Sequence, residues 1–187
     1  MHDFLLSAAQ DVASRLRDLN ARVVFAESCT AGLIAATLAR VPGISSYLCG
    51  SAVVYRNETK TAWLNVSADD LANERVGPVS EEVAEAMAIG VLRMTPEADI
   101  AASITGHLGP DAPADFDGVI VVGIVRRVET DSSIEVERVI RHKLTSILPA
   151  HDAVGSLREL RQRDAATFVL QTLCESLDSH SRGDRLV

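Results

Sequence analysis

The residues best suited to chemistry lie close together in residues 43–60, where Ser45, Ser46, Tyr55 and Lys60 surround an apolar run from Leu48 to Val54. A serine hydroxyl becomes a useful nucleophile when a neighbouring base takes its proton, and a lysine can be that base once desolvation lowers its pKa. Serine, tyrosine and lysine together are thus the parts of a metal-free acyl transfer. Spacing alone does not bring them together. The run between them reads as a buried strand, and Cys49 to Tyr55 fully extended spans ~23 Å at ~3.3 Å per residue. Ser45 and Lys60 meet only if Gly50-Ser51 bends or bulges the strand, if the chain folds back, or if a facing subunit completes the pair.

Other polar residues gather at strand-to-helix junctions: Ser28 to Thr30, Tyr55 to Lys60, and Thr105 to Pro110. In open α/β sheets, ligands bind at such ends. The familiar phosphate loops, GxGxxG and GxxxxGK[ST], do not occur in the sequence. Each residue also has a plain structural reading. Ser28 or Thr30 caps a helix, Ser45 and Ser46 satisfy a turn, Tyr55 is a strand aromatic, and Lys60 is a solvated charge on a short helix. His107 is a polar loop residue, while Asp111, Asp115 and Asp117 lack calcium-loop spacing and read as solvated turn carboxylates.

The elements that must position these groups follow from the hydrophobic period. Phe4, Leu5, Ala8, Ala9, Val12, Leu16 and Leu19 predict an amphipathic helix ending near Asn20. Arg22 to Ala26 is a short buried strand, and a helix over Ala31 to Arg40 begins with small residues whose free N–H groups could meet an anion. Leu48 to Val54 is expected to be a central strand, followed by short helices over Asn57 to Leu64 and Asp69 to Asn73. Ser80 caps a helix with Glu81, Glu82 and Glu85 at its positive end and Val83, Ala84, Met87, Ala88 and Val91 as its buried stripe; Pro96 ends it. Ala98 to Thr105 is a strand leading into a loop over 106–118. Val119 to Val125 and Ile134 to Leu144 form an edge hairpin, Ile147 to Ser156 is irregular, and Leu157 to Leu177 returns to helical period. The whole reads as one layered α/β domain, a mixed β-sheet flanked by helices, over residues 1–178, with 179–187 as a disordered tail.

Composition fits that class, since 47% hydrophobic but only 4% aromatic residues describe a core of Ala, Val, Leu and Ile. A net charge of −8 argues against nucleic acid as a partner, because phosphate-backbone binding needs clustered Lys and Arg. Cys29, Cys49 and Cys174 form no CxxC pair and no zinc spacing, which fits a reducing cytoplasm and no structural metal. The N-terminus carries Asp3 and Asp11 where a signal peptide would be basic. The longest apolar run, Val119 to Val125, is too short to span a bilayer, so no membrane partner is expected.

Taken in order, AESCTAG at 26–32, PGISSY at 42–47, YRNETK at 55–60, VSEEVAEAMA at 79–88 and TGHLGP at 105–110 resemble the CinA C-terminal domain family. The likeness runs from the first helix to about Leu177, and the ordered set is far more specific than any single motif. It implies a cytoplasmic homo-oligomer, without cofactor or metal, that acts on a small-molecule nucleotide. The implied activity is that of a nicotinamide-nucleotide amidohydrolase, which turns nicotinamide mononucleotide and water into nicotinate mononucleotide and ammonia. On that resemblance Ser45 is the nucleophile, Lys60 its base and Tyr55 a proton-transfer partner, with Asn57 completing a Tyr-x-Asn-x-x-Lys pattern. Ser28, Thr30 and Gly32 match the family's Glu-Ser-Cys-Thr-Gly-Gly pocket wall, and Thr105 and Gly106 open its Thr-Gly loop. Arg158 falls on the arginine of a Gly-Asp-Arg, where a guanidinium suits a substrate phosphate.

The chain departs from that pattern at identifiable places. Ile44 replaces the first serine after Pro-Gly, and Ala31 replaces a glycine. Residues 105–118, TGHLGPDAPADFDG, lack the family's Gly-rich stretch and its Lys-Pro-Val-Gly. That loop's backbone is where a phosphate or oxyanion would be cradled, so the change bears on substrate choice, and His107 with the three aspartates makes the mouth less welcoming to a phosphate. The other reading, of a different class, is a catalytically silent binding or assembly module that kept the fold and lost the substrate loop.

Overall fold

The two-residue period of a strand is what divides this molecule into layers. In β1 (Val23–Glu27) every residue is buried, but Val23 and Phe25 enter one apolar cluster while Val24 and Ala26 enter another. The computed structural model, which describes residues 3–128, 130, 133–146 and 156–183, builds its two helical layers on those two faces. The first face is covered by α1 (Phe4–Leu19), α2 (Leu33–Leu38) and α6 (Leu157–Gly183). The second is covered by α3 (Asn57–Leu64), α4 (Ala68–Ala72) and α5 (Glu81–Met94).

Between them lies a five-stranded sheet in the order β2 (Leu48–Val53), β1, β3 (Ile100–Gly106), β4 (Val119–Arg127) and β5 (Ile134–Lys143). β2 and β3 run parallel to β1, whereas β4 and β5 continue antiparallel as a hairpin. This is the mixed sheet flanked by helices that the pattern predicts. The three parallel strands end at the same side of the sheet, and the candidate site is built on those ends.

Several boundaries differ from expectation for physical reasons. The run Leu48 to Val54 was expected in the middle of the sheet, but β2 pairs only with β1 and is an edge strand, half-buried along Leu48 to Ala52. Its parallel register slips at Val23/Val24, opposite Cys49, so there is a bulge, but β2 stays extended through Val53. Helix α2 is shorter than predicted because Ala31 and Gly32 both take positive φ, 53° and 95°, which no α-helix accommodates. Phe4 is 71% exposed and lies outside the buried stripe of α1, which runs through Leu5, Ala8, Ala9, Val12, Ala13 and Leu16. Helix α6 continues through Gly183, beyond the expected start of a tail at 179; residues 184–187 lie outside the described residues, as do 147–155 of the irregular segment.

The caps follow sequence closely. Asp3 accepts from the Leu6 N–H at the start of α1, and Ser80 accepts from the Val83 N–H at the start of α5. One glycine matters to the site. A Cβ at Gly90, on α5, would run into the carbonyl of Leu64, so the glycine lets α3 close against α5. Helix α3 carries Lys60.

Candidate functional site

A cavity of about 450 Å³ opens at the ends of β1, β2 and β3. Ser28 and Cys29 enter it from the β1–α2 turn, Tyr55, Asn57 and Lys60 from the exit of β2 and the first turns of α3, and Arg158 from α6. Pro78 and Val79 line it ahead of α5, and residues 105–112 form the remaining wall. Of the residues singled out in the sequence, Ser28, Tyr55, Asn57, Lys60, Thr105, Gly106 and Arg158 therefore converge. His107 joins them.

Ser45 does not. It is exposed in a short 3₁₀ turn, Ile44–Ser46, that precedes β2, whereas Tyr55 and Lys60 follow the strand's other end. The bulge at Cys49 does not fold the chain back, so a single chain does not bring Ser45 to Lys60. The serine that shares the cavity with Lys60 is Ser28, which is 6% exposed.

Lys60 is not the solvated charge that a short helix suggests. It is 2% exposed, on the same face of α3 as buried Leu64, one turn further on. Burial lowers its pKa from the usual lysine range, against the opposing influence of Cys29 and Glu58. No hydrogen bond or ion pair joins its ammonium to another side chain among the described residues. A lysine in that state yields its proton readily and is available as a base.

Cys29 is buried as well, and burial pushes its thiol up to about 12, so it is a thiol rather than a thiolate at neutral pH. Tyr55 is 54% exposed, and its phenol oxygen accepts from Arg158 Nη2 at 2.7 Å. That bond leaves the phenol proton free to be donated. Arg158 Nη1 donates at 2.6 Å to the Gly109 carbonyl, so one guanidinium bridges the 106–118 loop and Tyr55. The Thr105 hydroxyl is committed to the Pro78 carbonyl at 2.7 Å. His107 is half-buried edge-on to Phe116, and its pKa is lowered by burial and then by Arg158.

Thr30 and Gly32, expected in the pocket wall, do not line the cavity. Their donors serve Glu27, the last residue of β1, which is fully buried. Its Oε2 accepts from Thr30 Oγ1 at 2.8 Å, the Gly32 N–H at 2.9 Å and the Ile34 N–H at 3.1 Å. Its Oε1 accepts from the Ala35 N–H at 3.1 Å and Ser51 Oγ at 3.0 Å. The anion that meets the N-terminus of α2 is thus the chain's own carboxylate. A glutamate ending an apolar strand just before a helix of small residues was the available signal.

The loop wall is tied down from α6. Arg161, 7% exposed, donates to both oxygens of Asp117 at 2.6 and 2.8 Å and to the Leu108 carbonyl at 3.2 Å. Asp117 is therefore ion-paired, not a solvated turn carboxylate, and the guanidinium holds its carboxyl below the usual range. Gln162 donates to the carbonyls of Cys29 and Thr30, at 3.3 and 3.1 Å, so α6 grips the β1–α2 turn too.

The sequence that builds this layered domain matches a known family over most of its length. The model of the CinA C-terminal domain matches residues 5–147. The chain belongs to that family. A CinA superfamily protein from Klebsiella pneumoniae 700603 superposes with a TM-score of 0.78 at 27% identity, covering 94% of this chain and 98% of the other. The competence/damage-inducible protein CihA from Agrobacterium tumefaciens gives 0.76 at 26% identity, covering 95% and 98%. In sequence, a CinA-like protein of Solibacter usitatus is 46% identical over 101 residues, which is 54% of this chain and 24% of the relative. The chain spans about a quarter of the length of the curated relatives it matches. Among the described residues no helix is long and apolar enough to cross a membrane.

Proposed function

We propose that the chain is a serine–lysine amidohydrolase acting on nicotinamide mononucleotide, with Ser28 as nucleophile and Lys60 as base. The observation that carries this reading is the buried Lys60 side chain lining the same cavity as Ser28, with burial lowering the lysine's pKa from its usual range. Neutral Lys60 takes the proton of Ser28 as Oγ bonds to the amide carbonyl carbon. The tetrahedral adduct collapses by breaking the C–N bond, and the proton held on Lys60 passes to the departing nitrogen, which leaves as ammonia. Water, deprotonated by Lys60, then cleaves the acyl-serine to nicotinate mononucleotide and restores Ser28. Tyr55, with its proton free, assists transfer to the leaving group, and Arg158 pairs with the phosphate.

Ser45 belongs to this scheme only if a second copy delivers it, and the homo-oligomer implied by family resemblance is itself part of the proposal. The half-buried edge of β2 and the exposed Val53 at its end support self-association. The deciding experiment incubates purified protein with nicotinamide mononucleotide and measures ammonia. Release well above a Ser28→Ala control supports the amidohydrolase. No release above a protein-free blank leaves a catalytically silent binding module, consistent with the divergent 106–118 loop, whereas equal release by wild type and Ser28→Ala keeps the amidohydrolase and removes Ser28 as its nucleophile.

A further inference from the structure

Glu27 lines no part of the cavity, yet it touches both of the walls that carry the proposed dyad. We infer that Glu27 is a positioning residue that fixes Ser28 relative to Lys60, an assignment that rests on the amidohydrolase reading. Three of its bonds, from Thr30, Gly32 and Ile34, and a fourth from Ala35, hold the turn that aims Ser28 and Cys29 inward. A fifth, from Ser51, reaches across to β2, whose continuation supplies Tyr55 and Lys60. The main chain repeats the pattern. The Glu27 carbonyl accepts from the Val54 N–H at 2.8 Å, just before Tyr55, and the Ser28 N–H donates to the Ile104 carbonyl at 3.0 Å.

An ordinary helix cap does not require this arrangement. The residue at the cap position of α2 is Gly32, which has no side chain to offer, and the carboxylate comes instead from five residues upstream. Its bonds from Thr30 and Gly32 flank Ala31, which sits in the left-handed region at φ 53°, where a β-carbon is disfavoured. Such a conformation persists only when its surroundings over-determine it, and here the Ala31 N–H is tied to the Ser28 carbonyl while Glu27 accepts from the residues on either side. A ligand-free serine is of use to a base only when their separation is held to a fraction of an ångström.

The test uses the full chain with Glu27→Gln and Glu27→Asp. Glutamine keeps the shape but turns one acceptor into a donor, which must face at least one backbone N–H. Aspartate keeps the charge but is a methylene too short to reach both α2 and Ser51. Three readouts are taken: thermal melting, kcat and KM on nicotinamide mononucleotide, and the rate of Cys29 alkylation by iodoacetamide, mapped by peptide mass. Cys29 is the neighbour of Ser28 and is shielded in the native turn. The expected result is folded variants with kcat lowered about 100-fold, KM within about threefold, and Cys29 labelled about tenfold faster. A folded variant with near-normal kcat, or with Cys29 as slow to label as wild type, overturns the assignment. Should both variants fail to fold, Ser51→Ala removes only the tie to β2; a kcat loss of about tenfold is expected, and an unchanged kcat overturns the assignment. If wild type releases no ammonia the amidohydrolase reading falls, and Cys29 labelling alone then decides whether Glu27 positions the turn.

Discussion

The two principal walls of the cavity are held in different ways, although Gln162 of α6 reaches the first wall just as the arginines of that helix reach the second. The β1–α2 turn is fastened from within by Glu27, with bonds from residues near it in sequence and from the neighbouring strand. The 106–118 loop is fastened from outside, by Arg158 and Arg161 reaching over from α6. On the family resemblance, the first wall keeps the expected motif almost intact and the second departs from it. A wall saturated with short internal bonds keeps a bond-making serine in register. A wall clasped by long side chains from another element can change its residues without disturbing that register. Under the proposed function, the difference gives chemistry to the first wall and substrate choice to the second.

The sharpest way to break this division is to attack the first wall. Ser28→Ala and Lys60→Ala are each expected to lower kcat about 1,000-fold or more, with the double variant little worse, because groups acting as a unit are not additive. Ser45→Ala should stay within about threefold of wild type. If instead Ser45→Ala is as damaging as Ser28→Ala, while mixed Ser45→Ala and Lys60→Ala proteins regain activity after subunit exchange, the nucleophile comes from a second copy.

The second wall should respond in KM rather than kcat. Arg158→Ala removes the proposed phosphate partner together with the clasp between Gly109 and Tyr55, and KM is expected to rise about tenfold or more. Asp117→Asn leaves the buried Arg161 without its bidentate partner, loosens the loop and raises KM severalfold, with faster proteolysis of 106–118 as the independent check. A larger effect of either change on kcat than on KM would erase the distinction between the walls.

The smallest effect is one of pH. His107 is held below the ordinary histidine value of ~6.5, by burial and then by Arg158, so it is neutral at pH 7. On acidification it gains charge late, adding a cation beside Arg158, and KM for an anionic substrate should fall severalfold relative to His107→Gln, a comparison that cancels titration of the phosphate itself. The unfolded chain takes up that proton at higher pH than the folded one. The His107 contribution to stability is therefore present above ~6.5 and diminishes as pH falls from there toward its lowered value. The kcat profile should run the other way, rising with pH as Lys60 deprotonates and levelling off below the ordinary lysine value.

Much of this architecture is legible in residue period and caps. Ser80, Asp3 and the alternation of β1 announce themselves because a local rule decides them. The position of β2 is not legible, since its apolar residues read alike in an edge or a central strand and the choice rests on which strand β3 joins after the crossover. The motifs single out Lys60, Tyr55 and Arg158, but no spacing rule measures across a strand, and the extended β2 leaves Ser28 rather than Ser45 in the cavity with Lys60 within one chain. The role of Glu27 is not legible either, because an acid at a strand end usually meets water, and its burial depends on donors from α2 and β2 that only the folded chain assembles.

Glu27 also gives the cavity a direction. In many strand–helix folds the start of the helix attracts phosphate, because its N–H groups are unsatisfied. Here those groups already face a carboxylate, one residue from Ser28, while the guanidinium of Arg158 lies across the opening. An anionic molecule entering the cavity meets repulsion at one end and attraction at the other. Under the proposed function, such a field would sort a nucleotide head from tail at long range, its neutral amide turned toward the serine before any specific contact forms.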